Sequence, residues 1–168
     1  FAGPANLDGS SSIAAGNPDD WAAVQWLDAN AEQGLPPRDV PVVLEAPSVP
    51  PWGGSYTYEG RISAFTGFPT VLGWAVHESQ WRGNYDEQAL REPDIANIYT
   101  SSDGQLTLDL LHKYGVDYVI LGGPEMTYIQ HVCGQAGSGC SPSTALRKFS
   151  QVLEPVFTQG QTTVYKVP

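Results

Sequence analysis

Between positions 17 and 34 the chain reads NPDDWAAVQWLDANAEQG, and Ala22, Ala23, Trp26 and Leu27 fall on one face of a 3.6-residue period. Asn17 suits an N-cap, Pro18 the first helical position, and Asp19 and Asp20 the positive end of the helix dipole, with Gly34 closing the far end. This pattern predicts a helix over 17–34 with Trp26 in the core. The next apolar run, VPVVLEA over 40–46, is rich in Val and predicts a buried strand that ends in Glu45, a carboxylate that needs a partner. PSVPPWGGSYTYEG follows and can only be a structured loop, because its Pro and Gly residues exclude helix and central strand.

Alternation in RISAFTGFPTVLGW, 61–74, predicts one or two short strands broken at Gly67 and Pro69. A helical period covers 93–99. The clearest unit is SSDGQLTLDLLHKYGVDYVILGG, where Ser102 and Gln105 read as a capping box and Leu106, Leu110, Leu111 and Tyr114 as an apolar stripe. Gly115 ends that helix and VDYVILG is a strand. TALRKFS, 144–150, is a short helix, and VLEPVFTQGQTTVYKV is a hairpin turning at Gln159 and Gly160. Helix followed by strand, twice, predicts an α/β fold: a single-domain layered sandwich over 1–168, around a mixed sheet of about five strands with a C-terminal β-hairpin.

Composition narrows the function classes. The 168 residues are 41% hydrophobic but only 15% charged, with 18 Gly and 14 Pro, which describes a loop-rich globular domain. Eight Lys and Arg against 18 Asp and Glu give a net charge of −10 and argue against nucleic acid or an anionic membrane surface as partner. No run of about 18 apolar residues is present to span a bilayer. FAGPANLDG at the start is not a signal peptide, and the chain reads as part of something longer. Cys133 and Cys140 are separated by six small or polar residues, which favours a disulfide and an oxidising compartment; two free thiols, or a metal site with His131, are the alternatives.

Polar groups that would be odd as plain surface gather in three segments: Glu45, then Tyr56, Tyr58, Glu59 and Arg61, then His77, Glu78, Trp81 and Arg82. In GWAVHESQWRG, Trp81 stands where the second His of a zinc-protease motif would be, so that metal reading fails. His77 and Glu78 could share a proton, with Arg61 or Arg82 on an anion. The competing reading pairs Arg61 or Arg82 with Glu45, Glu59 or Glu78 as structural ion pairs and uses the Trp residues to cover the core. Phosphate-loop, dinucleotide and serine-hydrolase signatures are missing. His112 is expected to face solvent.

The segments NLDG, DDWAAVQWLDAN, VVLEA, GSYTYEGRISAFTGFPTVLGWAVHESQWRG, IYTSSD, LLHKYGVDYVILG and TTVYKV resemble, in order, the C-terminal soluble region of the YYY family of multipass membrane proteins. That family is similar to the GT-C membrane glycosyltransferases, which include the oligosaccharyltransferases. The resemblance implies a domain on the extracytoplasmic side of the cell membrane, partnered by the membrane-embedded part of its own chain and by a lipid-linked sugar or glycan. It implies no catalysis by this stretch alone, because the GT-C catalytic carboxylate usually lies in an early loop between membrane helices. Positions carried over are Glu45, Tyr56, Arg61, Ser63, Thr66, Trp74, His77, Glu78, Trp81 and Arg82. No cofactor is expected here; a divalent cation is an option for the longer protein, and Glu45, Glu59 and Glu78 are the carboxylates it would meet. The rival expectations are a self-contained hydrolase or transferase using His77 and Glu78, and a carbohydrate-contacting module presenting Trp52, Trp74 and Trp81.

Overall fold

The computed structural model describes residues 9–31, 40–49, 56–136 and 140–168. Its helices are α1 (Ser10–Gly16), α2 (Pro18–Asn30), α3 (Arg61–Thr66), α4 (Ala75–Arg82), α5 (Asp86–Thr100), α6 (Gly104–Lys113), α7 (Gly123–Ala136) and α8 (Pro142–Val152). The strands are β1 (Val43–Leu44), β2 (Tyr118–Leu121), β3 (Glu154–Gln159) and β4 (Thr162–Lys166). They form one mixed sheet in the order β1-β2-β4-β3, with β1 and β2 parallel and the other pairs antiparallel.

Strand side chains alternate between faces, and that alternation divides the core. Val43, Ile120 and Val164 face one cluster with Ala23, Val24 and Leu27 of α2 and Ile62 of α3. Leu44, Val119 and Leu121 face the other, built with Ile95, Ile98 and Tyr99 of α5, Leu111 of α6, Ile129 of α7 and Phe149 of α8. The domain is therefore a sheet between two helical layers. Tyr99 ties the larger layer to the sheet, since its buried hydroxyl lies 3.3 Å from the Leu44 carbonyl and 3.2 Å from that of Ile120. Trp26 is half-buried, stacked on Phe157 and edge-on to Tyr118.

Four strands are present among the described residues where about five were expected. The difference lies in 61–74: residues 61–66 are helix, and the pairing with the sheet is a single bridge from Thr70 to Val43, whose N–H donates to the Pro69 carbonyl. The Glu45 carboxylate explains this locally, because it accepts the Ile62 and Ser63 N–H groups at the open end of α3. Gly67, with φ of 75°, closes that helix in the left-handed conformation.

Other boundaries also move. The helix predicted over 17–34 ends at Asn30, and Gly34 lies outside the described residues. Asn17 makes no side-chain cap there. Asp103, not Ser102, caps α6, because its carboxylate accepts from both the Gln105 and Leu106 N–H groups. The period over 93–99 belongs to a longer α5 with Pro93 inside it. The hairpin turns at Gly160 and Gln161, one residue later than expected, with Gln159 paired to Thr162. Helix α7 was unforeseen, although Met126, Ile129, Val132 and Cys133 carry its period.

Lys148 of α8 is buried. Its Nζ donates to the Ser101 carbonyl at 2.6 Å and lies 3.5 Å from that of Asn97, at the C-terminal end of α5. Burial draws its pKa down to about 8 against an opposing pull from Asp103. Cys133 and Cys140 form a disulfide that joins α7 to the start of α8. His112 is exposed, as expected.

Candidate functional site

Both parallel strands end in the same place, where α/β folds commonly hold ligands, and here an arginine fills it. Arg61 is 2% exposed. Its Nε donates to Asp20 at 2.6 Å, Nη1 and Nη2 donate to the two Glu125 oxygens at 3.1 and 2.8 Å, and Glu45 lies 3.8 Å from Nη1. Asp20 comes from the first turn of α2, Glu45 follows β1 and Glu125 lies in the first turn of α7. Each carboxylate has further donors: Thr162 and Tyr58 hydroxyls for Asp20, and the Ala46 and Gly122 N–H groups for Glu125. Gly122 is needed there, since a Cβ would come within 3.0 Å of both Arg61 and Asp20.

Electrostatics follow from this crowding. Burial opposes the charge on Arg61, but Glu125 and then Asp20 outweigh it and hold its pKa above the ordinary value. Asp20 is likewise held below its ordinary value by Arg61 with help from Thr162 and Tyr58, although burial pulls the other way. For Glu45 burial wins, and its pKa is pushed up to about 7 despite Arg61 and the two backbone donors. Three carboxylates sharing one guanidinium carry more negative charge than it can balance, and Glu45 is where the excess is relieved.

The remaining candidates lie on the surface above. Tyr56, Trp74, His77 and Trp81 form a continuous run of rings, with centroid separations of 5.0, 4.8 and 5.9 Å for Tyr56–Trp74, Tyr56–His77 and His77–Trp81. Trp81 donates its indole N–H to His77 Nε2 at 2.9 Å. The Tyr56 hydroxyl lies 3.2 Å from Nδ1 and 3.4 Å from Nε2 of the same imidazole. Trp81 is 80% exposed and Tyr56 71% exposed. Tyr56 holds φ of 64°, a strained backbone for a residue with a side chain, costing about 1 kcal/mol or more.

Helix α4 serves these rings. Glu78 accepts the Gly73 N–H at 2.9 Å, securing the turn before the helix, and pairs loosely with Arg82 at 3.8 Å. Trp74 donates to the Thr57 carbonyl and lies flat enough on Gly60 that a Cβ there would meet its indole at 3.0 Å. Ser63 offers its N–H to Glu45, and Thr66 bonds within its own helix to Ile62. Glu59 is half-buried in the turn Tyr58–Gly60. Beneath Tyr56, an open pocket of 300 Å³ is walled by Tyr56, Tyr58, Phe65 and Trp74. A larger cleft of 530 Å³ lies among Val49, Val76, Tyr85, Pro93 and Val132, and of the residues singled out in the sequence only His131 lines it.

Two of the sequence's groupings therefore separate. Arg61 and Glu45 are closed into the interior, whereas His77 and Glu78 turn to different neighbours and do not converge with an arginine on one reacting centre. Among the described residues no three His, Cys, Asp or Glu side chains are grouped to hold a metal ion. Trp52 lies outside the described residues. Asp20 and Glu125 were not foreseen as partners of Arg61. Their shared signal is an acidic residue two places or less beyond a Pro at a helix start, PDD and PE.

Neither a protein-family model nor a curated protein sequence matches the chain. A solved structure does. The crystal structure of the C-terminal globular domain of an oligosaccharyltransferase from Archaeoglobus fulgidus matches 89% of this chain and 97% of that one, with a TM-score of 0.50 at 16% identity. The two domains share a fold. At that identity the likeness concerns architecture alone. Among the described residues no helix is long and apolar enough to cross a membrane.

Two outcomes test the buried cluster. Arg61→Ala should lower unfolding free energy by about 3–5 kcal/mol in urea titration, because it strands buried carboxylates, whereas Arg82→Ala should change it by less than about 0.5 kcal/mol. The second concerns pH. Glu45 titrates near 7 in the folded chain against an ordinary 4.5, so the folded state holds its proton longer and stability should fall as pH rises through that window. Asp20, shifted the other way, adds a loss of stability on acidification below its ordinary value. Glu45→Gln should flatten the fall between pH 5 and 7.5; an unchanged slope would assign it to other groups.

Proposed function

We propose that this chain is an accessory extracytoplasmic domain of a GT-C-like membrane glycosyltransferase of YYY-family type, supporting acceptor or lipid-linked sugar binding and not catalytic alone. The observation that carries the reading is the division of its polar residues. Arg61, Glu45 and Asp20 are turned inward and satisfied, while the surface above them carries a run of rings from Tyr56, Trp74, His77 and Trp81. A surface of that kind binds and positions; it has no activated nucleophile or base to transform what it holds.

Three further points support the reading. The fold is similar to that of a domain from an oligosaccharyltransferase. The Cys133–Cys140 disulfide suits an oxidising, extracytoplasmic setting. The charge of −10 disfavours an anionic bilayer surface as the docking site, and the membrane-embedded part of its own chain and a glycan are the partners that the family resemblance implies. A self-contained hydrolase or transferase would need His77 and Glu78 aimed at a common substrate atom, and each is instead engaged elsewhere.

A turnover assay tests this directly. The purified chain, given polyprenyl-phosphate sugars and glycan acceptors, should transfer and hydrolyse nothing, while the longer membrane protein that contains it transfers the sugar. Turnover by the chain alone would overturn the proposal.

A further inference from the structure

Helices α5 and α7 leave a space between them that the fold does not fill. It is the 530 Å³ cleft, within the size range of ligand pockets, and Gly73, Ala75 and Ala96 line it where larger side chains would close it. One wall is a single face of α7, with Tyr128, His131, Val132 and Gln135 at the spacing of successive turns. Facing it are Glu92 and Pro93 of α5, with Tyr85 at the start of that helix. The lining is mainly apolar, and Glu92 is its one carboxylate.

Glu92 is half-buried, and the hydrogen-bond partner of its side chain is the Tyr85 hydroxyl, which donates at 2.5 Å. A carboxylate has room for about four such bonds. No Lys or Arg lines the cleft, and the ion pairs among the described residues engage other carboxylates. Burial and then Glu92 push the Tyr85 and Tyr128 hydroxyls up to about 12, so both phenols stay neutral. The cleft therefore presents one uncompensated negative charge beside two aromatic rings.

We propose that this cleft binds an organic cation, an alkyl guanidinium or ammonium whose nitrogen meets Glu92 while its stem lies on the apolar walls. Charge selects this class. An anion would be repelled by Glu92, and a neutral apolar guest would strip water from the carboxylate without giving it a donor. A cationic head supplies N–H donors to the open positions on Glu92, a charge-assisted contact stronger than a neutral hydrogen bond. Tyr85 and Tyr128 line the same space, where a cation gains further from aromatic rings. Val49, Val76 and Val132 offer apolar surface to the stem. The net charge of −10 draws guests of this sign toward the chain. The inference goes beyond the accessory-domain reading and does not rest on it.

The test is an NMR titration of the 168-residue chain with N-butylguanidinium and N-butylammonium, against N-butylurea, which has the shape of the first without its charge. At least one cation should shift the Tyr85, Ala96, Tyr128 and Val132 resonances in a saturable way, with N-butylurea binding about tenfold more weakly. Glu92→Gln should weaken that cation's binding about tenfold, whereas Glu154→Gln, which removes the same charge from an exposed position on β3, should leave it unchanged. Glu92→Gln nearly conserves the size of the side chain, so its spectrum away from the cleft should match the parent and report an intact fold. The blocked tripeptide acetyl-Ala-Arg-Ala-amide separates two sources of the cation: tighter binding than N-butylguanidinium assigns the cleft to a basic protein side chain, weaker binding to a free small molecule. No saturable shift with either cation, equal affinity for N-butylurea, or full cation affinity in Glu92→Gln would overturn the inference.

Discussion

Arg61 is the interaction on which the rest of the structure depends. Its guanidinium draws together residues from α2, α7 and the end of β1, elements far apart in sequence, and lies at the meeting point of the two helical layers and the sheet. A buried ion pair stabilises a fold less than a well-packed apolar substitute would, because both partners lose their water. What it contributes here is position. Five nitrogen-to-carboxylate contacts and the backbone donors on Glu45 and Glu125 admit few other arrangements of α3, β1 and the start of α7.

From that point the constraints run outward to the surface. Holding Arg61 fixes the start of α3, and with it the turn Tyr58–Gly60 that precedes it. Tyr58 lies over the guanidinium and bonds Asp20, with burial and that carboxylate raising its pKa, so it stays a donor. Gly60 lets Trp74 settle against the turn, Trp74 supports Tyr56, and Glu78 fixes the turn from which α4 carries His77 and Trp81. An exposed aromatic surface is thus held in one arrangement by a polar interior, which reduces the entropy lost on engaging a ligand.

Legibility in the sequence followed the range of the interactions. The α6–β2 unit could be read because its stripe, its Gly115 terminator and its Val-rich strand are all local signals. Glu45 was readable as a carboxylate at a strand end that required a partner. Its pairing with Arg61 was one of the readings offered, whereas Asp20 and Glu125 were not, since they are brought to Arg61 by the packing of distant elements. RISAFT alternates like a strand, yet α3 exists because a carboxylate from β1 satisfies its open end and its first residue points inward. Helix α7 was hidden by the Gly-Gly-Pro start and by a Cys pair that read as loop. His77 and Trp81 were visible as a group, whereas the pocket below Tyr56 depends on Thr57 and Phe65, whose placement only the fold decides.

Amide hydrogen exchange tests the central claim most directly, that the Arg61 cluster clamps the fold as one unit. The Ala46, Ile62, Ser63 and Gly122 N–H groups all donate to its carboxylates. They should exchange only on global unfolding, with the same opening free energy as the Ile120 amide of β2. Exchange of Ile62 and Ser63 at loop-like rates while β2 stays protected would contradict it.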